Sequence, residues 1–239
     1  MVDCPHPPCC SIPFFRKCAE ESSFCTKLGQ TGMKFFDVHR AKVMLLAAGL
    51  SGLSLIFCIV AVCALSTNND TVKNTNWTYG VSDNSEYFVG LKEVVIKVDG
   101  FDEISSKWED TSCPDSYCDD CKDACDSSIT TAIMSLITCL PTLATDFQRS
   151  TVKGDLNCQK FMGIFTGVVG TITTLAALSS YADGCYRNLP NDDGSGNELT
   201  WYLGPGFTCL LLATFLKPVD VLIHLLTPVG KKEVPLNEK

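Results

Sequence analysis

Four stretches almost free of charged residues constrain the fold of this 239-residue chain more than any other feature. They are residues 43–65, 127–145, 161–182 and 201–216, and the fourth must continue past Pro218 to reach spanning length. The first has 23 residues, and as a helix it would rise roughly 35 Å, enough to cross a hydrocarbon core of ~30 Å. Four such stretches joined by charged loops predict a membrane protein with four spans rather than a soluble protein with buried helices.

The charges between these stretches predict how the chain is oriented. Three segments are rich in Lys and Arg: residues 1–42 carry six, residues 146–160 three, and the segment from residue 217 onward four. The other two segments are acidic. Residues 66–126 carry five Lys against fourteen acidic residues, and residues 183–200 carry one Arg against four acidic residues. Cationic residues collect on the cytoplasmic side of membrane spans. We therefore expect an integral protein of the plasma membrane with both termini cytoplasmic. The acidic outer loops and the net charge of −8 argue against nucleic-acid binding.

The predicted fold class is an all-α membrane protein with a small amount of β structure. It consists of a left-handed four-helix transmembrane bundle with an extracellular antiparallel sheet in the first outer loop. In chain order, the predicted parts are a cytoplasmic Cys-rich arm (1–42), a first span (43–65), extracellular loop 1 (66–126), a second span (127–145), a cytoplasmic loop (146–160), a third span (161–182), extracellular loop 2 (183–200), a fourth span (201–226) and a cytoplasmic tail (227–239).

Loop 1 contains the stretch SCPDSYCDDCKDACDSS, whose cysteines have the spacing C-x4-C-x2-C-x3-C. An oxidising exterior favours disulfides over thiolate ligands, and closing a loop of this size stabilises a fold by roughly 3 kcal/mol. A redox-active Cys118-x-x-Cys121, a zinc site and an iron–sulfur cluster are the alternatives. We predict disulfides that fasten the sheet to the start of the second span, with the connectivity open. The candidate cysteines are Cys113, Cys118, Cys121, Cys125 and Cys185. Because five is an odd number, one thiol stays unpaired unless Cys63 joins it, and a bridge between the two outer loops through Cys185 is possible.

The part of loop 1 before these cysteines reads as antiparallel β structure. An Asp-Gly pair between two apolar runs predicts the hairpin VVIKV-DG-FDEIS, and WTYGVS predicts a third strand. Two N-glycosylation sequons lie in the same loop. Asn76 is the better candidate, because Asn69 lies close to the end of the first span. Loop 2 contains Gly, Asp and Pro turn signals and is expected to be irregular and exposed.

Small residues in two spans have a predicted role in helix packing, because they let membrane helices approach closely. The third span offers Gly163, Gly167 and Gly170, and the first offers Gly49 and Gly52. Contacts within one bundle and contacts in an oligomer both fit this pattern.

The fourth span is the one with internal charge. Asp220 and His224 are four residues apart and share a helical face, and Lys217 precedes Asp220 by three residues. An ionisable residue well inside a span costs ~2.5–3.5 kcal/mol on insertion scales and usually marks a function. The trio predicts either a proton or cation pathway or a structural anchor that pairs with Arg40 or Lys42.

The predicted cytoplasmic arm carries five cysteines beside aromatic and basic residues. Juxtamembrane cysteines in this setting predict S-palmitoylation and an arm that lies on the membrane. A zinc site that adds His6 to three of the cysteines is the alternative. The predicted lipidation sites are Cys4, Cys9, Cys10, Cys18 and Cys25.

The layout of the chain resembles the claudin/peripheral-myelin-protein superfamily and its protist and fungal relatives, including amastins. The shared features are four spans, a long, β-rich and cysteine-bearing first outer loop, and a shorter second loop. Trp77 matches a Trp early in the first loop of family members, and Gly90-Leu91 matches two residues of their Gly-Leu-Trp, with Lys92 in place of the Trp. The resemblance implies a non-enzymatic protein that acts in membrane assembly or adhesion, or as an auxiliary subunit of a larger complex.

The implied partners are the lipid bilayer and other membrane proteins or copies of the same chain. We expect no catalytic residues, metal, cofactor or small-molecule substrate. Two other functions remain as alternatives: a thiol–disulfide oxidoreductase using Cys118 and Cys121, and an ion channel or transporter component using Asp220 and His224.

Overall fold

The structure, a computed structural model, describes residues 39–108, 116–151, 157–192 and 196–229, without the side chains of 116–118. Four of its helices are long and apolar enough to cross a membrane. This confirms the predicted membrane-protein fold class at the level of helix length and composition. The helices are α1 (Arg40–Cys63), α2 (Asn69–Thr75), α3 (Ser116–Ser150), α4 (Asn157–Gly184) and α5 (Pro205–Leu226), with a 3-10 turn at Tyr186–Asn188.

The four long helices turn small and polar side chains inward and large apolar side chains outward. On α1, Ala48, Ser51 and Ser54 are buried, whereas Leu46 and Ile56 are exposed. Lipid is as apolar as leucine, so helices in a bilayer associate through close backbone approach and polar contacts rather than through burial of large apolar groups. The bundle is therefore built for surroundings of lipid.

Helix α3 begins well before the predicted start of the second span at residue 127. Its early part buries Cys121, Ala124 and Cys125 and exposes the aspartates between them. This spacing of three and four residues is that of one helical face. The second half of the cysteine stretch is therefore helical, and the prediction of a loop there is wrong.

Five antiparallel strands form one sheet in the order β4-β3-β2-β1-β5. They are β1 (Thr78–Val81), β2 (Ser85–Val89), β3 (Glu93–Val98), β4 (Ile104–Lys107) and β5 (Thr200–Leu203). The predicted hairpin is present as β3 and β4, and the predicted third strand as β1. Gly100 in the hairpin turn has φ +83°, a left-handed conformation that glycine adopts without strain. The predicted small antiparallel sheet is confirmed.

The fifth strand corrects one prediction about the fourth span. β5 shares only Thr200 with the predicted second loop and pairs with β1, with Val81 opposite Thr200 and Thr78 opposite Leu203. The fourth span was expected to begin at residue 201, but α5 begins at Pro205 because the residues before it belong to the strand. Proline suits the first turn of a helix, where its missing N–H costs no hydrogen bond.

Trp77, the residue just before β1, joins the sheet to the bundle. Its indole Nε1 donates to the carbonyl oxygen of Ala61 on α1 at 3.0 Å. Its ring contacts Tyr181 of α4 and Phe207 of α5 edge to face, at centroid distances of 4.9 and 5.9 Å. The hydroxyls of Tyr181 and Thr78 are 2.8 Å apart. We call these residues the Trp77 cluster, and the end of the bundle that carries it the sheet end.

Candidate functional site: a buried polar cluster inside the bundle

Four ionisable side chains meet inside the bundle at the end away from the sheet. Asp146 and Arg149 lie in the last turns of α3, and Asp220 and His224 lie one turn apart on α5. All four are buried. Ser51 of α1 donates from Oγ to Asp146 Oδ2 at 2.6 Å, so the group ties three helices together. We call these five residues the ionic cluster.

Arg149 determines which nitrogen of His224 carries a proton. Its Nη1 lies 2.6 Å from His224 Nδ1, and its Nη2 donates to the carbonyl oxygen of Thr227 at 3.0 Å. A guanidinium only donates hydrogen bonds, so Nδ1 is the acceptor and the ring proton of this tautomer lies on Nε2.

Several polar atoms of the ionic cluster have no hydrogen-bond partner. His224 Nε2 lies 2.7 Å from Asp146 Oδ1 and 3.8 Å from Asp220 Oδ2, but neither contact is aligned as a hydrogen bond. Both oxygens of Asp220 are without a partner as well.

The ionic cluster also contains three potential ligands for a divalent metal. Asp146, Asp220 and His224 each offer one ligand atom, and these atoms lie within 4.8 Å of one another. A metal on Nε2 requires the ring proton at Nδ1, where a ligating histidine normally donates to an acceptor. Arg149 occupies that position with a donor. The arrangement therefore does not fit a divalent metal.

Lys217 forms a second buried centre, closer to the middle of α5. Its Nζ donates to the carbonyl oxygen and Oγ of Ser135 at 3.0 and 2.6 Å and contacts the carbonyl oxygen of Gly170 at 3.4 Å. A cavity of about 10 Å³, close to the volume needed by one water, lies between Lys217 and Asp220 and is lined by hydroxyl groups such as Thr142. The predicted trio thus faces the interior of the bundle, but Lys217 serves a separate centre.

The glycines of α4 provide the space for these polar side chains. A Cβ on Gly163 would collide with the imidazole of His224, and one on Gly170 would meet Lys217 Nζ at 3.0 Å. Gly167 likewise faces Val221 of α5. The small-residue face of the third span therefore packs within the bundle.

The glycines of α1 have different surroundings. Nothing lies within 4 Å of the position of a Cβ on Gly49 or Gly52. These two positions point away from the bundle and leave a shallow gap on the surface of α1.

Only part of the predicted disulfide set is present in the described residues. Cys121 of α3 and Cys185, just after α4, lie at disulfide-bond distance, with sulfurs 2.01 Å apart. This bond fastens α3 to α4 rather than the sheet, and it joins the two predicted outer loops through Cys185, one of the alternatives. Cys125, a candidate for a disulfide, is a free buried thiol. Since Cys121 bonds to Cys185, it is not paired with Cys118. The remaining predicted modification and disulfide sites lie outside the described residues. They are Cys4, Cys9, Cys10, Cys18, Cys25, Cys113 and the side chain of Cys118.

The structure reverses the order of the two sequons. Asn76 is buried, its Nδ2 donates to the carbonyl oxygen of Lys73 at 2.7 Å, and Gly204 lies against its side chain. A glycan on Asn76 has no room in this fold. Asn69 is half-buried in the first turn of α2. Glycosylation at Asn69 stays a prediction.

Sequence reasoning missed Asp146 and Arg149 as members of the site. Both were assigned to the cytoplasmic loop 146–160, where Arg149 served as evidence for orientation. Their spacing of three residues continues the helical period beyond residue 145, and that continuation is the signal that could have found them. The chain matches no protein-family model and no curated protein.

Proposed function

We propose that this chain is a non-enzymatic integral membrane protein that assembles with other membrane proteins or with copies of itself, as its resemblance to claudin-like proteins implies. The proposal includes a plasma-membrane location, cytoplasmic termini and an extracellular sheet. The observation that carries it is the gap at Gly49 and Gly52. Every other glycine in the four long helices has a neighbouring atom within 4 Å of its Cβ position, and these two have none.

The surroundings of the gap favour docking of a second helix. Leu45 and Ile56 are exposed on the same side of α1 as Gly49 and Gly52, at positions that follow a spacing of three and four residues. Glycine on an outward face costs helix propensity relative to alanine and lets a neighbouring backbone approach closely. Large apolar side chains on either side of a glycine gap give such a neighbour van der Waals contact.

The sheet supplies a second surface for assembly outside the bundle. β4 is an edge strand, because the strand order leaves one of its sides without a partner strand. Phe101 and Ile104 beside that edge are 76 and 56 % exposed. An unpaired edge with exposed apolar side chains is a template for pairing with another chain.

The test is energy transfer between donor-labelled and acceptor-labelled copies in lipid vesicles, together with native purification from membranes. Gly49→Ile with Gly52→Ile fills the gap, and no neighbouring atom lies within 4 Å of either added Cβ, so we expect loss of the assembly and a melting temperature close to that of the wild type. Leu175→Ile, on the exposed side of α4, is the control and should keep the assembly. A wild-type chain that is monomeric and purifies alone, or a double variant that assembles normally, would refute the proposal.

The ionic cluster favours a second candidate function, a proton-binding or cation-binding component of a channel or transporter. Its support is the two unpartnered oxygens of the buried Asp220, which lines a small cavity together with hydroxyl groups. Asp220→Asn removes the acidic group, so we expect it to abolish a proton or cation flux measured in proteoliposomes. Asp183→Asn, at an exposed ion pair with Arg187, is the control. A flux that survives in Asp220→Asn would exclude this function.

A further inference from the structure

Two free thiols face each other in the interior of the bundle, closer to the sheet end than the ionic cluster. Cys58 of α1 and Cys139 of α3 are 0 and 4 % exposed, and their sulfurs lie 3.9 Å apart. Neither is bonded to another cysteine. Neither belongs to the assembly surface on the outer side of α1.

The separation of the sulfurs suits ligation of one metal ion by both. Metal–sulfur bonds of about 2.3 Å, the length of a zinc–thiolate bond, would span this separation with a bent sulfur–metal–sulfur angle near 115°. Ser135 lies beside both sulfurs, with Oγ 3.5 Å from Cys58 Sγ and its carbonyl oxygen 3.3 Å from Cys139 Sγ. Ser54 Oγ lies 3.9 Å from Cys139 Sγ. Oxygen atoms therefore surround the two sulfurs on the inner side of the bundle.

Lys217 is a buried cation next to these thiols, and its Nζ contacts no carboxylate among the described residues. Lys217 is 6 % exposed, and its Nζ binds Ser135 and Gly170, which are neutral. None of the ion pairs among the described residues includes Lys217. A buried charge without a partner is costly. Through Ser135, the ammonium is one hydrogen bond away from the Cys58 sulfur, so an anionic group at the two sulfurs would balance it.

The charge balance selects the kind of ion. Two thiolates with a monovalent ion carry −1, which the Lys217 ammonium neutralises. Two thiolates with a divalent ion are neutral, and the ammonium then remains uncompensated. Soft thiolate ligands select Cu(I) among the biological monovalent ions.

We propose that Cys58 and Cys139 bind one Cu(I) ion as a bis-thiolate, with Lys217 as its counter-charge. Binding replaces two S–H bonds by two S–Cu bonds and releases two protons: Cu⁺ + 2 RSH gives [Cu(SR)₂]⁻ + 2 H⁺. No oxidation state changes in this step.

The experiment uses the full chain in detergent, because other cysteines of the chain also bind soft metals. Iodoacetamide under native conditions without added reductant first blocks the accessible thiols and leaves the Cys121–Cys185 bond intact, and the burial of Cys58 and Cys139 protects them from this reagent. Cu(I) is then titrated under ascorbate against a competing Cu(I) chelator. We expect one equivalent to bind to the wild type and none to Cys58→Ser or Cys139→Ser. Cys209→Ser, a free thiol elsewhere on α5, should bind like the wild type.

Two further measurements separate a metal site from a folding defect. Lys217→Met should weaken Cu(I) binding by more than about tenfold, because one member of a buried charge pair is lost. X-ray absorption of the copper-loaded wild type should show two sulfur neighbours. The proposal is overturned if the cysteine variants keep the equivalent, if Zn²⁺ binds in preference to Cu(I), if copper has no sulfur neighbours, or if the purified chain contains a Cys58–Cys139 disulfide.

Discussion

Replacing Trp77 by alanine tests the joint between the sheet and the bundle. The indole is fully buried, so its removal leaves a cavity, and large-to-small changes of this kind cost ~3–5 kcal/mol. That range includes two edge-to-face ring contacts worth about 0.5–1.5 kcal/mol each. It also includes a hydrogen bond to the Ala61 carbonyl worth about 1 kcal/mol. Trp77→Phe keeps a ring in the cavity and loses the N–H, so it should cost about 1–2 kcal/mol.

The assay is thermal unfolding of the purified protein in detergent, followed by circular dichroism. At roughly 2–4 °C per kcal/mol for a chain of this size, Trp77→Ala should lower the melting temperature by roughly 6–20 °C, and Trp77→Phe should fall in between. Phe101→Ala, at an exposed position of the same sheet, should leave it unchanged. If Trp77→Ala melts with the wild type, the sheet is not held to the bundle by this residue and the reasoning fails.

Three further predictions test other parts of the fold. Burial raises the pKa of Glu93 above its ordinary value. The folded state therefore holds the carboxyl proton more tightly than the unfolded state does, and the stability falls as the pH rises through about 4.3 and above. Glu93→Gln should make the melting temperature less dependent on pH, and an unchanged slope would contradict this. Cys121→Ser should lose up to ~4 kcal/mol and the sensitivity of the melting temperature to reductant, whereas Cys125→Ser should keep that sensitivity. Gly163→Ala should lower the melting temperature through the collision with the imidazole, whereas Gly49→Ala should not; equal effects in this pair would disprove the packing argument.

The sequence predicted the elements whose signal is local. Long uncharged stretches identify membrane helices because a span must be apolar over its whole length. An Asp-Gly pair between apolar runs identified the β3–β4 hairpin because two residues set the turn. β5 carries no such signal, since its partner β1 is more than a hundred residues away in the sequence.

The early part of α3 was missed for a different reason. Its exposed aspartates outweigh the buried Cys121, Ala124 and Cys125 in any average over the segment, although the buried positions follow the helical period. The candidate site was predicted in part: the spacing of Asp220 and His224 placed them together on one face. Arg149 was taken for a loop charge because a charged side chain next to a span usually faces water, and here it lies buried against His224.

The pairing of β1 with β5 also has a consequence for synthesis of the chain. β1 is completed by residue 81, but its second neighbour begins at Thr200, after α3 and α4. A ribosome must therefore deliver two further membrane helices before the sheet can close, and until then one side of β1 is open to water or to a chaperone. A chain truncated before Thr200 should retain this open strand and be recognised by quality control, even with three of its helices already in the membrane.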